Sequence, residues 1–131
     1  MLESDTLKQT FPKSERLHSK KLIQELFDKG SSFYLYPFKV MYLETEKVPH
    51  NQMLASVSKR KFKKAVTRNT LKRRIREAYR LNKSLLITKK QASSNLLIAY
   101  IYTGKDVSDF QFIEKKLKKS IDRLNKEIVS D

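Results

Sequence analysis

The sequence contains no cysteine and no tryptophan, and only two glycines and three prolines. Without cysteine there is no disulfide framework, no thiolate metal site and no cysteine nucleophile. Acidic residues are scarce: 14 Asp and Glu stand against 29 Lys and Arg, a net charge of +15 in 131 residues. No apolar run approaches the ~20 residues that a membrane-spanning helix needs. The opening residues 1–8 show no basic stretch followed by an apolar run, so no secretory signal is expected. Hydrophobic residues make up 39% of the chain, too many for a wholly disordered one, and the length suits one domain around one core. The expectation is a cytoplasmic domain that repels itself unless a polyanion binds it. Nucleic acid, an anionic membrane and an acidic protein are the partner classes open at this point.

Residues 1–13 are polar and interrupted by Pro12, and are expected to be flexible, with a single α/β domain over 14–131. From Ser19 to Lys29 the apolar residues Leu22, Ile23, Leu26 and Phe27 recur at helical spacing. Ser19 can cap the start and Gly30 can end the helix in a left-handed conformation. Residues 33–43 are rich in aromatic and β-branched side chains and read as strand. Pro37 cannot donate to a ladder and marks an edge, a bulge or a break between two short strands. Phe38, Val40 and Tyr42 share one face, Lys39, Met41 and Leu43 the other. Residues 52–58 read as a further strand, and the apolar run 96–102 as a central one. Ser108 and Gln111 form a possible capping box for a long helix whose stripe is Phe110, Ile113, Leu117, Ile121, Leu124 and Ile128. The fold class predicted is α+β: a single two-layer α/β sandwich in the order helix-strand-strand-helix-strand-helix, with a small mixed sheet and a strand–basic helix–strand crossover. Such crossovers are normally right-handed.

Two thirds of the net charge lie in residues 59–80, where eleven of 22 residues are Lys or Arg and one, Glu77, is acidic. Such uneven charge points to one binding surface. On a helix from about Thr67, Leu71, Ile75, Ala78 and Tyr79 form one apolar face, and Asn69, Arg73, Arg76 and Arg80 line up opposite, with Lys72 between the two. Arg offers a planar fork that matches phosphate oxygens in pairs. The helix start adds free backbone N–H groups, and Lys59, Arg60, Lys61, Lys63 and Lys64 strengthen the same field. A membrane-surface helix would need apolar groups free to enter lipid, and here they are required to cover strands.

The run Arg68-Asn69-Thr70-Leu71-Lys72-Arg73-Arg74-Ile75-Arg76-Glu77-Ala78-Tyr79-Arg80 resembles the basic helix of the bacterial ribonuclease P protein. Ser56–Lys59 and Lys64–Arg68 look like the strand and turn that lead into it, and Glu15–Leu17 with Leu22–Gly30 is similar to the family's opening helix. The resemblance covers about residues 14–128. It departs from the family's Arg-Asn-Arg triplet at Thr70, with Lys72 or Arg74 as substitutes, and the turn 59–65 lacks the family's glycine and is one residue longer.

The resemblance implies a left-handed crossover at the basic helix, against the general rule. It implies a monomeric protein within a ribonucleoprotein whose large RNA, with bound Mg²⁺, removes the 5′ leader from precursor tRNA. Lys59, Arg60, Lys64, Arg68, Asn69, Lys72, Arg73, Arg76 and Arg80 are then expected to bind the ribonuclease P RNA. A groove between the first helix and the sheet, formed by Ile23, Phe27, Phe38, Lys39 and Tyr42 beside Val40, is expected to hold the leader, with Tyr42 chosen over Met41 as the match to the family's aromatic on this strand. Tyr34 and Tyr36 are further stacking candidates, since a phenol tolerates one wet end. His18, His50 and the scattered loop acids form no catalytic or metal-type pattern, so the protein alone is expected to be inert. The rival readings are a ribosomal-type or DNA-binding protein with no enzymatic role, and a protein-only nuclease.

Overall fold

A computed structural model describes residues 10–86 and 94–129. In chain order the elements are α1 (Lys20–Lys29), β1 (Ser31–Leu35), β2 (Phe38–Thr45), β3 (Gln52–Val57), α2 (Ala65–Asn82), β4 (Asn95–Tyr102) and α3 (Phe110–Val129). Short 3₁₀ turns lie at Lys13–Glu15 and Lys83–Leu85. This is the expected α+β order, with the aromatic run 33–43 split into two strands at Pro37. That residue lies in the hairpin turn, after a cis peptide bond from Tyr36, where no ladder hydrogen bond is asked of it.

The four strands run in the order β1-β2-β4-β3. β1 with β2 and β2 with β4 are antiparallel, whereas β3 and β4 are parallel and joined through α2. β4 is central because Leu96 to Tyr100 are buried without alternation, which requires cover on both faces of the sheet. α2 and α3 cover one face, over Val40, Ala55, Ile98 and Tyr100. α1 covers part of the other, over Met41, Leu97 and Ala99, with Leu26 as its buried anchor. The sandwich of sheet and two helices thus carries a partial third layer.

Three expectations need correction. Residues 1–9 lie outside the described residues, but the packed chain begins before residue 14. Phe11 is buried, and its ring meets that of Tyr79 edge-on at 5.6 Å. Gly30 ends α1 in an extended conformation (φ −72°, ψ 159°), not a left-handed one. A Cβ there would stand 2.4 Å from the Leu26 carbonyl oxygen and 2.9 Å from that of Tyr42, so the glycine permits close approach of two backbones. α3 is capped by Asp109, whose Oδ1 accepts from the Phe112 N–H at 2.9 Å. Ser108 instead bonds the Tyr102 hydroxyl at 2.8 Å. Ser19 does cap α1 as expected, accepting from the Leu22 N–H at 3.3 Å.

Candidate nucleic-acid interface

α2 begins at Ala65, two residues earlier than its spacing suggests, and no side chain caps its first N–H groups. Leu71, Ile75, Ala78 and Tyr79 are buried against the sheet and α3, as the periodicity requires. Asn82 joins them, donating from Nδ2 to the Ala78 carbonyl at 2.8 Å and to Glu114 of α3 at 3.0 Å. With that underside fixed, Asn69, Arg73 and Arg76 stand exposed on the opposite side, and Lys72 and Arg80 are half-buried beside them. Lys59, Arg60, Lys61, Lys63 and Lys64 are exposed in the turn before the helix.

The cations of this segment do not all have their donors free. Arg68 donates to the carbonyls of Phe62 and Lys63, at 2.8 and 2.9 Å, and so closes the turn that lacks glycine. Arg74 donates to the Ser108 carbonyl at 2.6 Å and ties α2 to the loop before α3. Arg80 pairs with Glu77. That hydrogen bond first, and the opposite charge with it, holds the Glu77 carboxyl below the usual range and the Arg80 guanidinium above its own. Among the described residues no acid pairs with Lys72, Arg73 or Arg76. Arg76 has its pKa lowered, first by crowding around its head group and then by the charge of Arg16.

The five residues expected to form the leader groove do not share a face. Phe38 and Val40 are fully buried on the α2–α3 side. Tyr42 faces the same way, donating its hydroxyl to Glu127 of α3 at 2.8 Å. Ile23, Phe27 and Lys39 lie on the α1 side. Alternation grouped Phe38, Val40 and Tyr42 correctly; it could not say which helix would cover them. On the α1 side the residue paired with Lys39 is Tyr34, 66% exposed. Met41, Leu97 and Ala99 are buried beneath α1, while Lys39 and Ile101 towards the hairpin are only half-buried. α1 therefore leaves this end of the face open, and the open trough carries half-buried Ile23 and the 42% exposed Phe27 from α1, Lys39 from β2 and Tyr34 from β1. Tyr36 stands apart, edge-on to Phe112 of α3 at 6.4 Å.

A missed contributor is Arg16, which the segment 10–17 carries to α2; an isolated residue between a proline and a histidine offers no periodic signal. Among the described residues no helix is long and apolar enough to cross a membrane.

The ribonuclease P family model matches residues 11–125. The ribonuclease P protein component of Porphyromonas gingivalis strain W83 is 40% identical over 117 residues, covering 86% of this chain and 84% of that protein. Its counterpart from Geobacter sp. strain M21 is 37% identical over 116 residues, covering 88% and 93%. Among solved structures, the RNase P protein from Thermotoga maritima superposes with a TM-score of 0.68 at 25% identity, over 83% of this chain and 96% of that one.

Proposed function

The chain belongs to the ribonuclease P protein family, and on that premise we propose that it binds the ribonuclease P RNA through α2 and holds the 5′ leader of precursor tRNA in the trough beside α1. The observation that carries this reading is the solvent side of α2. Lys72, Arg73 and Arg76 lie there without an acid partner on a helix whose other side is buried. Neutralising phosphates at that surface lets a folded RNA approach and releases its counterions. The trough suits a single strand, which is held by cations and by flat side chains on which bases stack. Tyr34 and Phe27 supply the rings and Lys39 the charge.

On this reading the work is done in the cytoplasm by the protein bound to a large RNA, and Mg²⁺ belongs mainly to the RNA. Among the described residues no three His, Asp or Glu side chains stand close enough together to hold a metal ion. The protein's part is to neutralise, position and retain substrate; the RNA cuts the phosphodiester. Precursor tRNA and Mg²⁺ should therefore remain uncleaved with protein alone, and cleavage would move the chemistry to the protein.

The test of the interface is Lys72→Ala with Arg73→Ala, read by filter binding to the ribonuclease P RNA. A loss of about 100-fold is expected from two charge-assisted contacts. Unchanged affinity would place the RNA elsewhere. For the trough, Tyr34→Ala should weaken binding of leader-bearing tRNA more than of leaderless tRNA, and equal losses would remove Tyr34 from the leader path.

A further inference from the structure

Residues 10–17 form a strap across the open edge of the molecule beside β3 and α2. It is fixed at several points. Phe11 is buried against Tyr79, and Lys83, at the end of α2, donates to both the Thr10 carbonyl and the Glu15 carboxylate. The Gln52 amide donates to the Ser14 carbonyl at 3.2 Å, and the Leu17 N–H to the Met53 carbonyl at 3.0 Å. None of these bonds uses Arg16. Its guanidinium lies over the Phe11 ring, 5.3 Å from the centroid, a contact that limits its freedom without neutralising its charge.

Arg16 and Arg76 line two neighbouring clefts in common. One, of about 470 Å³, also includes His18 and Met53; the other, of about 450 Å³, continues along α2 past Arg73 and Arg80. The one acid on their walls, Glu77, is taken by Arg80. Among the described residues none pairs with Arg16, Arg73 or Arg76. Two guanidinium groups thus line the same clefts, one of which also carries Lys13, and their like charges repel. An anion between them would replace repulsion with two charge-assisted contacts, and the planar forks suit tetrahedral phosphate oxygens. The continuation of cations along α2 fits a polymer of phosphates better than one small anion.

We propose that Arg16 and Arg76 jointly seat one phosphate of the RNA partner, which makes the N-terminal strap a wall of the RNA-binding surface. This rests on the reading of the chain as an RNA-bound ribonuclease P subunit.

The test is a double-mutant cycle with the full chain and ribonuclease P RNA over a range of salt. Arg16→Gln and Arg76→Gln should each weaken binding about tenfold, the scale of a lost charge-assisted contact. The double variant should fall little further, because one seat has been lost, and its salt slope should drop by about 1 instead of 2. Unchanged affinity of Arg16→Gln would make the strap structural only, and additive losses with a slope change near 2 would mean two separate phosphates; either overturns the proposal. Arg16→Lys keeps the charge without the fork, and should lose affinity while keeping the slope. In the free protein, inorganic phosphate should shift the side-chain N–H resonances of both Arg16 and Arg76, and the Arg76 shift should vanish in Arg16→Gln. Phosphate shifts without any RNA effect would mean an adventitious ion only, and would overturn the proposal. If wild-type protein fails to bind the RNA at all, the parent reading falls, and the phosphate titration still reports on the seat.

Discussion

α2 and α3 lie together on one face of the sheet and each carries six basic residues, yet the two helices present different surfaces. In α2 five of the six are arginine, and Glu77 is the only acid. In α3 five of the six are lysine, and Glu114, Asp122 and Glu127 are interspersed with them. The cations of α3 also have local employment. Arg123 lies over the Phe33 ring at 4.6 Å and 3.9 Å from Glu127, and Lys116 lies over Phe112 at 5.5 Å. A count of cations alone would rank the helices equal. What separates them is the counter-charge and the kind of head group, since mixed signs at helical spacing solvate a face while unopposed guanidinium groups invite phosphate.

Underneath, the two helices are alike, and the largest expected effects test that likeness. Ile75 of α2 and Leu117 of α3 are both fully buried. Ile75→Ala and Leu117→Ala should each cost about 3 kcal/mol, read from urea unfolding midpoints. A loss below about 1 kcal/mol at either position would show that its helix is not anchored as described. On the solvent side the likeness should break. Lys115→Ala with Lys118→Ala removes two exposed cations from α3, as Lys72→Ala with Arg73→Ala removes two from α2. The α3 pair should weaken RNA binding less than about threefold, because exposed cations on a mixed-sign face contribute little. Equal losses from the two pairs would make charge count, not arrangement, the determinant.

A smaller effect comes from the phenols beneath the helices. Tyr79 belongs to the underside of α2, and Tyr100 meets Ser120 of α3 at 2.7 Å. Burial is the main cause that raises both phenols above the usual range, and the Ser120 hydrogen bond partly opposes it at Tyr100. A raised phenol pKa means that, above about pH 10, the unfolded chain sheds protons which the folded one keeps. Stability is therefore level below that pH and should fall above it, by about 1.4 kcal/mol per pH unit for each phenol. Tyr100→Phe should roughly halve that slope, and an unaltered slope would remove Tyr100 from the account.

Much of this was legible in the sequence because it follows from periodicity. The stripe Leu71, Ile75, Ala78 and Tyr79 and the stripe Ile113 to Ile128 match their observed burial, and alternation along β2 sorts Phe38, Val40 and Tyr42 onto one face, although Met41 on the other face is buried as well. The unopposed charge of residues 59–80 needed only counting. What could not be read depends on which surfaces meet. The family's aromatic on this strand matches Tyr42 or Met41 by register, and the sequence does not say which helix covers either; α3, 85 residues away at Glu127, claims Tyr42. Tyr34 stands on the α1 face through its register with Lys39, a property of the hairpin as a pair. Phe11 and Arg16 lie on a strap held by scattered contacts to Tyr79, Met53 and Lys83, and such contacts leave no repeating pattern. Arg68 and Arg74 show the same limit within the basic helix, since the carbonyls that accept from them come from the turn and from the loop before α3.

The two helix starts sharpen the contrast at the smallest scale. α3 opens on Asp109, whose carboxylate accepts a backbone N–H and brings negative charge to the positive end of the helix. α2 opens on Lys64, which provides neither acceptor nor favourable charge, so its first turn forgoes stabilisation that a serine would supply. Lys64→Ser should therefore raise stability, by about 0.5–1 kcal/mol in urea unfolding, the usual worth of such a cap. The same change removes a cation from the rim of the RNA surface and competes for the N–H groups that would otherwise meet a phosphate. Affinity for the ribonuclease P RNA should drop at the same time, by about threefold at moderate salt. A more stable protein that binds RNA less well would identify the bare start of α2 as a feature kept for binding at a cost in stability. Gain in stability with undiminished affinity would show instead that Lys64 and the first turn stand clear of the RNA, and the contrast between the helices would begin only at Lys72.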